Sequence, residues 1–561
     1  MVNRRKRDVV YLVSFIGFLL LLNIGSSFFF TRFDFTKEQR YTLSSVSKKV
    51  IGQLEDELQI TVYLEGDLPG GFKRLRNSTR DILEDFKAYS GGNLQYAFVN
   101  PSSGDIKNQE IALQDLSAKG IEPTNLSVKT EEGMSQKLIF PAALLTYRGK
   151  QLAVKILQNR AGASPEEVLN NSAQNLEYAF VSAIKKLVQG GKPRIGFTEG
   201  HNELNDLQLH DAMKSLEDGY EVGRVDLNVI PTEGLDKLSV LVIPKPDAAF
   251  TEAEKYKIDY FVMRGGPVLW AIDQVSAELD SLRGAGQQLA FAKKLNLDDI
   301  LFKYGVRINY NLVADMNCAE VPVSVGNVGG QSQIQMLPWL FYPVFVPTST
   351  HPLVKNLDGI RSEFSGTIDT IPVKGVQKEV ILSTSPFNRT LETPTMLSLQ
   401  MVEQEPDPEA FKNVPKPVGV LLEGTFASNY RNRPIPEGVG KSLSIPAQSK
   451  PTKMIVLADG DILKNQVSSS DGSPFPLGYD RYTQQQYGNK NFLLNAADYL
   501  TDDSGLIQLR TKEIKIRLLD RARIRTEKTF WQILNIGLPL LLLVIFGIAR
   551  HFYRLQKYAH Q

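Results

Sequence analysis

Apolar residues fall along this chain in two regimes. Two long uncharged runs stand near the ends, at residues 9–30 and 530–549. Between them, short strand-like runs alternate with stretches in which apolar positions recur every three or four residues. The alternation is clearest from Lys192 to Asp273. Arg194-Ile-Gly-Phe197 is a short buried strand that ends in a polar, glycine-containing turn, Thr198–Glu203. A helical pattern starts near Leu207. A strand follows at Glu221–Leu227, then a continuous apolar run at Ser239–Pro244, a helix at Thr251–Met263, and a last strand at Gly265–Asp273. This predicts an α/β fold, a doubly wound parallel sheet covered by helices on both faces. Ligands of such sheets sit outside the carboxyl ends of the strands. The turn at Thr198–Glu203 is therefore the expected place for a site.

The flanking stretches add a second unit. Leu58–Leu64 alternates as a strand, a helix follows at Phe72–Tyr89, and Asn93–Val99 is another strand. Ala142–Tyr147 and Gln151–Ile156 form a hairpin. A βαβ unit followed by a hairpin is a thioredoxin-like arrangement, here without any Cys-x-x-Cys and so without that redox chemistry. Ser44 or Ser45 is placed to cap a preceding helix. A helix over Pro165–Val188, ended by Gly190-Gly191, leads into the central unit. Beyond Asp273 the pattern gives a helix near Asp298–Tyr304, a strand at Val306–Tyr310 and a Gly/Ser/Gln-rich loop at Ser324–Gln335. A β-rich stretch at Tyr342–Leu382, an exposed loop at Glu403–Pro417, a core strand at Pro451–Asp459 and a helix at Asn491–Leu500 complete it. The expected domains are 31–190 (thioredoxin-like), 191–505 (central α/β with β-rich insertions) and 506–529 (a basic juxtamembrane segment).

The terminal runs read as membrane helices, each long enough for a bilayer core of roughly 30 Å. The first is longer than a cleavable leader needs. Pro539 inside the second is tolerable in a membrane helix. Arg4-Arg-Lys-Arg7 places residues 1–8 in the cytoplasm. Two spans return residues 550–561 to the same side and put the body in the periplasm. The basic residues crowded over 510–528 lean the other way, and they suit lipid headgroups.

Composition narrows the chemistry. Lys plus Arg number 64 and Asp plus Glu 62 in 561 residues, a near-balance that argues against a nucleic-acid binder. The single cysteine, Cys318, excludes an intrachain disulfide framework and multi-cysteine metal sites. It also lies outside any strand-to-helix turn that could make it a nucleophile. Gly438-Val-Gly-Lys-Ser442 lacks the earlier glycine of a phosphate loop, with Ile435 in its place. Any ATP is therefore a partner's substrate, and no cofactor or metal is expected. Two polar clusters stand out. Glu199, His201, Asn202 and Glu203, with Asp206 and His210 nearby, form the densest. The plainest reading is that its carboxylates favour the next helix N-terminus while Asn202 or Asp206 caps it. The other reading is a rim for a ligand or protein partner. Tyr430, Arg431 and Arg433 in the loop Ser428–Pro436 form the second, suited to a glycan or a partner protein and equally to a solvated loop.

Pro193-Arg-Ile-Gly-Phe-Thr-Glu-Gly-His-Asn-Glu203, paired with Gly488-Asn-Lys-Asn-Phe-Leu-Leu-Asn-Ala-Ala-Asp-Tyr-Leu500, resembles the auxiliary-component family of ABC transporters. The segment Arg32–Ser44 resembles that family's entry segment. With spans at both ends, the chain looks most like the family's gliding-motility subunits from Bacteroidota. The resemblance covers nearly the whole chain. It implies a non-catalytic periplasmic module working with a transporter permease, a cytoplasmic ATPase and envelope proteins. It also implies a central domain similar to class I glutamine amidotransferases. The alternative is an envelope module that binds glycan or peptide without a transporter.

Overall fold

The computed structural model describes residues 2–27, 42–101, 103, 113–130, 133–158, 164–188, 191–328, 331–403, 406–437, 439, 445–502, 505–511 and 521–558. The chain divides into two units, 1–512 and 513–561.

In the first unit, helix α1 spans Val2–Ser27. A four-stranded sheet follows from β1 (Leu58–Val62), β2 (Leu94–Phe98), β3 (Ala142–Tyr147) and β4 (Lys150–Lys155), in the order β2-β1-β3-β4. β1 and β2 run parallel and the other pairs antiparallel. Three helices belong with it: α2 (Ser45–Gly52), α3 (Gly70–Tyr89) and α4 (Pro165–Val188). Ser44 caps α2, its hydroxyl accepting from the Ser47 amide. The buried Glu177 of α4 takes the Ser44 amide at 2.8 Å and the Ser47 hydroxyl at 2.7 Å, so the cap is tied to the long helix. A hairpin at 124–130 and 133–139 joins this region, where no strand was expected.

The central sheet has seven strands: β5 (Arg194–Glu199), β6 (Glu221–Asp226), β7 (Val240–Pro244), β8 (Val268–Ala271), β9 (Val376–Ser383), β10 (Pro417–Gly424) and β11 (Thr452–Leu457). Their order is β9-β10-β11-β8-β7-β5-β6. The five strands β11-β8-β7-β5-β6 are parallel, and β10 and β9 add an antiparallel edge. Numbered by sequence among the parallel strands, the order is 2-1-3-4-5, with the switch point between β5 and β7.

Alternate residues divide the two faces, as a strand's period of two requires. Val240, Val242, Leu269 and Leu457 pack with α5 (His210–Glu217) and α7 (Asn489–Thr501), in a core continuous with that of the four-stranded sheet. Leu241, Ile243, Val268 and Trp270 face α6 (Glu252–Met263) and the helix Asp298–Tyr304. Helices therefore cover both faces.

Residues 318–328 and 331–345 form a long antiparallel hairpin where a loop was expected at Ser324–Gln335. Its outer half is rich in Gly, Ser and Gln, but its inner half carries Trp339, Phe341 and Tyr342 into a third core. Those buried aromatics, not the composition of the tip, decide the conformation. Residues 438 and 440–442 of the phosphate-loop mimic, and most of the segment 32–44, lie outside the described residues.

The second unit is described as one helix, α8 (Arg521–Tyr558), with Pro539 inside it. Its 38 residues span about 57 Å at ~1.5 Å per residue. Thr526–Gln556 is long and apolar enough to cross a membrane. The apolar part of α1, Val9–Leu21, is shorter.

Candidate functional site

The carboxyl edge of the parallel strands gathers two polar clusters. The first follows β5. Gly200 and Asn202 take left-handed conformations, with φ of 112° and 55°, and turn the chain back so that His201 is buried. The His201 ring stacks on Phe250 at 3.8 Å. Its Nε2 lies 3.1 Å from Glu254 Oε2, and its Nδ1 lies 3.5 Å from Glu203 Oε1. The His201 amide donates to Glu203 Oε2 at 2.6 Å. Glu254 is itself the closing residue of the α6 capping box, accepting from the Thr251 amide and hydroxyl. Burial disfavours the imidazolium, but the two carboxylates outweigh it and raise the His201 pKa. Glu203 and Glu254 are lowered in turn, against their own burial.

Glu199 meets Arg224 at 3.3 Å at the surface, and Asn202 is exposed. Neither Asn202 nor Asp206 caps α5, which corrects that expectation. The turn before α5 is closed by Asn205 and Gln208, each amide donating to the other's side chain at 3.0 Å. The Asp211 amide then donates to Asn465 Oδ1. Asn202 sits too early, at the left-handed turn, to reach the first helical amides.

The second cluster follows β7, β8 and β11, and sequence reasoning missed it. Lys245, just past β7, sends Nζ to Asp461 Oδ2 at 2.6 Å, Glu278 Oε1 at 2.7 Å and Asp273 Oδ2 at 3.3 Å. Lys464 Nζ reaches Asp461 Oδ1 at 2.8 Å and Glu363 Oε2 at 3.5 Å. Asp459, fully buried, accepts from the Ser362 hydroxyl, the Glu363 amide and the Asp461 amide. Asp273 Oδ1 accepts from the Gly460 amide at 2.7 Å. Lys245 adopts φ of 55°, and a side chain at position 460 would bring a Cβ within 2.3 Å of the Lys245 Cβ. Glycine at 460 is what lets the lysine pass.

Burial opposes the charge on Lys245, but Asp461, Asp273 and Glu278 hold its pKa well above the ordinary lysine value. Asp461 is lowered by Lys245 and Lys464 despite burial, whereas burial and the neighbouring Asp273 and Asp461 push Asp459 well up. Acidic oxygens of Asp273, Asp459 and Asp461 all lie within 4.8 Å of one another, a spacing that could suit a metal ion. The Lys245 ammonium supplies the positive charge there instead. The signal in the sequence was a charged residue directly after each buried run: Lys245 after Pro244, Asp273 after Ile272, Asp459 after Ala458.

The loop Ser428–Pro436 is also largely committed. Ser428 Oγ and the Asn429 amide donate to the buried Asp259, which also accepts from Tyr304. Tyr430 is buried and donates to Glu252 Oε2 at 2.9 Å. Arg433 meets Asp299 at 2.7 Å, and Asp299, held by Lys255, Arg433 and Asn429 against burial, is lowered to about 2. Arg431 alone among the predicted loop residues is exposed with no side-chain partner among the described residues. The two predicted groups meet the same short segment, since Glu252 holds Tyr430 and Glu254 holds His201. Cys318 is half-buried, and burial pushes its thiol up to about 12, so it is not a thiolate at neutral pH.

The class so defined is a doubly wound α/β body whose carboxyl edge is closed by its own ion pairs. The chain belongs to the ABC-transporter auxiliary family, whose model, described as an ABC-type uncharacterized transport system, matches residues 192–496. A second family, described as a domain of unknown function, matches residues 37–146. An uncharacterized protein of Borreliella burgdorferi is 22% identical over 544 residues, covering 95% of each chain. Solved structures with some likeness include the mmIFT52 N-terminal domain, 14% identical, covering 55% of this chain and 98% of that one, with a TM-score of 0.32. PurLQS from Thermotoga maritima is 11% identical over 55% of this chain and 99% of that one, with a TM-score of 0.23. Likenesses at such scores carry no argument about fold detail or activity.

Proposed function

We propose that the protein is a non-catalytic, membrane-anchored subunit of an ABC-type transport complex that serves gliding motility, linking a permease and its ATPase to an envelope partner or cargo. Spans at 9–30 and 530–549, with both termini cytoplasmic, carry a periplasmic body of two domains, 31–190 and 191–505. Family membership supports the transport setting, and the apolar α8 supports the anchor. The observation that carries the non-catalytic reading is Lys245. Its ammonium fills the space among Asp273, Asp461 and Glu278 at the strand ends, where an enzyme of this architecture would hold its substrate. His201 is likewise spent on Glu254 of the α6 capping box, and Glu203 on the His201 amide. Asn202 and Arg431 remain exposed for contact with a partner, beside the half-buried Glu199 that Arg224 holds.

The test is purification of the full-length protein from its native membrane in mild detergent, with every co-purifying protein identified by mass spectrometry. A polytopic permease and an ATPase in stoichiometric amounts are expected. Recovery alone, or with outer-membrane proteins only, overturns the subunit assignment.

A further inference from the structure

We propose that a cleft between α4 and α7 is a binding site for a neutral saccharide. The cleft has a volume near 400 Å³, inside the roughly 300–1,000 Å³ range of small-ligand sites. Helix α4 lines it with Asn171, Gln174, Asn175 and Tyr178, and α7 lines it with Asn491, Leu494, Asn495 and Asp498. Both sets follow the spacing i, i+3, i+4, i+7, which is one stripe along a helix. Two helices facing each other inside a folded body ordinarily present apolar stripes. These two present carboxamides, and the helices stand apart over them.

The base of the cleft is closed by a bond from the Tyr178 hydroxyl to Asp498 Oδ2 at 2.8 Å. Asn495 donates to the Leu353 carbonyl at 2.9 Å. In contrast, Asn171, Asn175, Asn356 and Asn491 make no side-chain hydrogen bond among the described residues, although all four line the cavity. Asn356 reaches it from a left-handed turn, φ 60°. An amide offers donors and an acceptor together, and a sugar hydroxyl needs both. Half of the lining is Asn or Gln, against one cation, Lys155, and two carboxylates. One of those, Asp498, is already engaged by Tyr178, Tyr220 and Lys186. Apart from Lys155 at the exposed end of β4, the free groups are uncharged amides, so the ligand they match is uncharged. Leu157, Leu357 and Leu494 supply apolar wall for its C–H faces. The inference does not rest on the subunit assignment.

The experiment places full-length protein in lipid nanodiscs, free of glycosidic detergent, on a printed array of neutral oligosaccharides. The best-retained sugar is then titrated calorimetrically against the wild type, Asn175→Leu and Asn491→Leu. Both variants are expected to melt with the wild type, since neither amide is bonded among the described residues; Asn171→Leu replaces either that does not fold. Binding should weaken about tenfold or more in each variant, as unmade hydrogen bonds in a site dictate. Wild-type affinity should be nearly constant from about 0.05 to 0.5 M NaCl, because no charge pairing is involved. Retention of no neutral sugar, equal binding by the variants, or affinity that collapses with salt overturns the proposal and leaves a water-filled cleft or an anion site.

Discussion

The carboxyl edge of the central sheet and the cleft between α4 and α7 are both crowded with polar side chains, yet they are opposites in what those side chains do. At the edge, Lys245, Asp273, Asp459 and Asp461 are buried and bonded to one another. In the cleft, several amides are partly or fully exposed and make no side-chain bond among the described residues. Burial forces the difference. A polar group removed from water must find a partner inside, whereas one facing a solvated cavity can wait for a ligand. Density of polar residues along a chain therefore does not mark a site; unspent hydrogen-bonding capacity next to open space does.

Breaking the edge should have the largest effect. Lys245→Met keeps the stem and the backbone strain but leaves Asp461, Asp273 and Glu278 facing one another without their shared cation. Loss of one partner from a buried pair costs about 3–5 kcal/mol. In the wild type Asp461 is lowered, so its contribution is present above the unfolded carboxylate pKa and is lost as pH falls through the folded value. In the variant the carboxylates lose that support and protonate more readily in the fold. The gap between the two proteins should accordingly shrink on acidification. Thermal unfolding followed by the fluorescence of the buried Trp270 and Trp339 reads this. A gap independent of pH would mean that the cluster is held by packing and not by charge.

The same contrast explains what could be read from the sequence. The inner parallel strands were legible because they are continuous apolar runs with both faces covered, as at Val240–Pro244 and Val268–Ala271. The hairpin at 318–345 was not, because strand formation there depends on Trp339 and Phe341 meeting a core built from distant segments. Strand β10 was hidden behind a proline-rich loop, although Val418–Leu422 is fully buried. Among site residues, His201 was found by density but given no structural task, and Glu203 was assigned to the next helix N-terminus, not to His201. The His201 partner Glu254 lies over fifty positions away, on the next helix but one. The Lys245–Asp461 pair is 216 residues apart, and the cleft joins α4 to α7 across more than 300. Separations of that size are set by topology, which periodicity does not reveal.

A smaller effect tests the first cluster. His201→Gln keeps a polar planar group but removes the charge shared with Glu203 and Glu254. The folded His201 pKa is raised, so its stabilisation is complete below the unfolded value of 6.5 and fades as pH climbs through the folded one. The lowered Glu203 and Glu254 contribute above 4.5, a contribution lost as pH falls through their folded values. The penalty of the variant should thus be greatest between those limits, about 1.5–3 kcal/mol for hydrogen bonds to a charged group, and smaller at alkaline pH. Unfolding by urea at several pH values measures it. A penalty that grew with pH would show that a neutral imidazole does the work.

The smallest effect separates two arginines in one loop. Arg433 is bonded to Asp299 at 2.7 Å but is about half exposed, so solvent screening leaves the pair worth roughly 0.5 kcal/mol. Arg433→Ala should lower the melting temperature slightly, and the loss should vanish in high salt. Arg431 has no such partner among the described residues, so Arg431→Ala should melt with the wild type. Its consequence, where this loop meets a partner, should be confined to what co-purifies. Equal destabilisation by the two changes would show that exposure is a poor guide to which side chains this fold has already used. Unequal melting, with loss of a co-purifying protein only for Arg431→Ala, would place the loop on the same side of the comparison as the cleft.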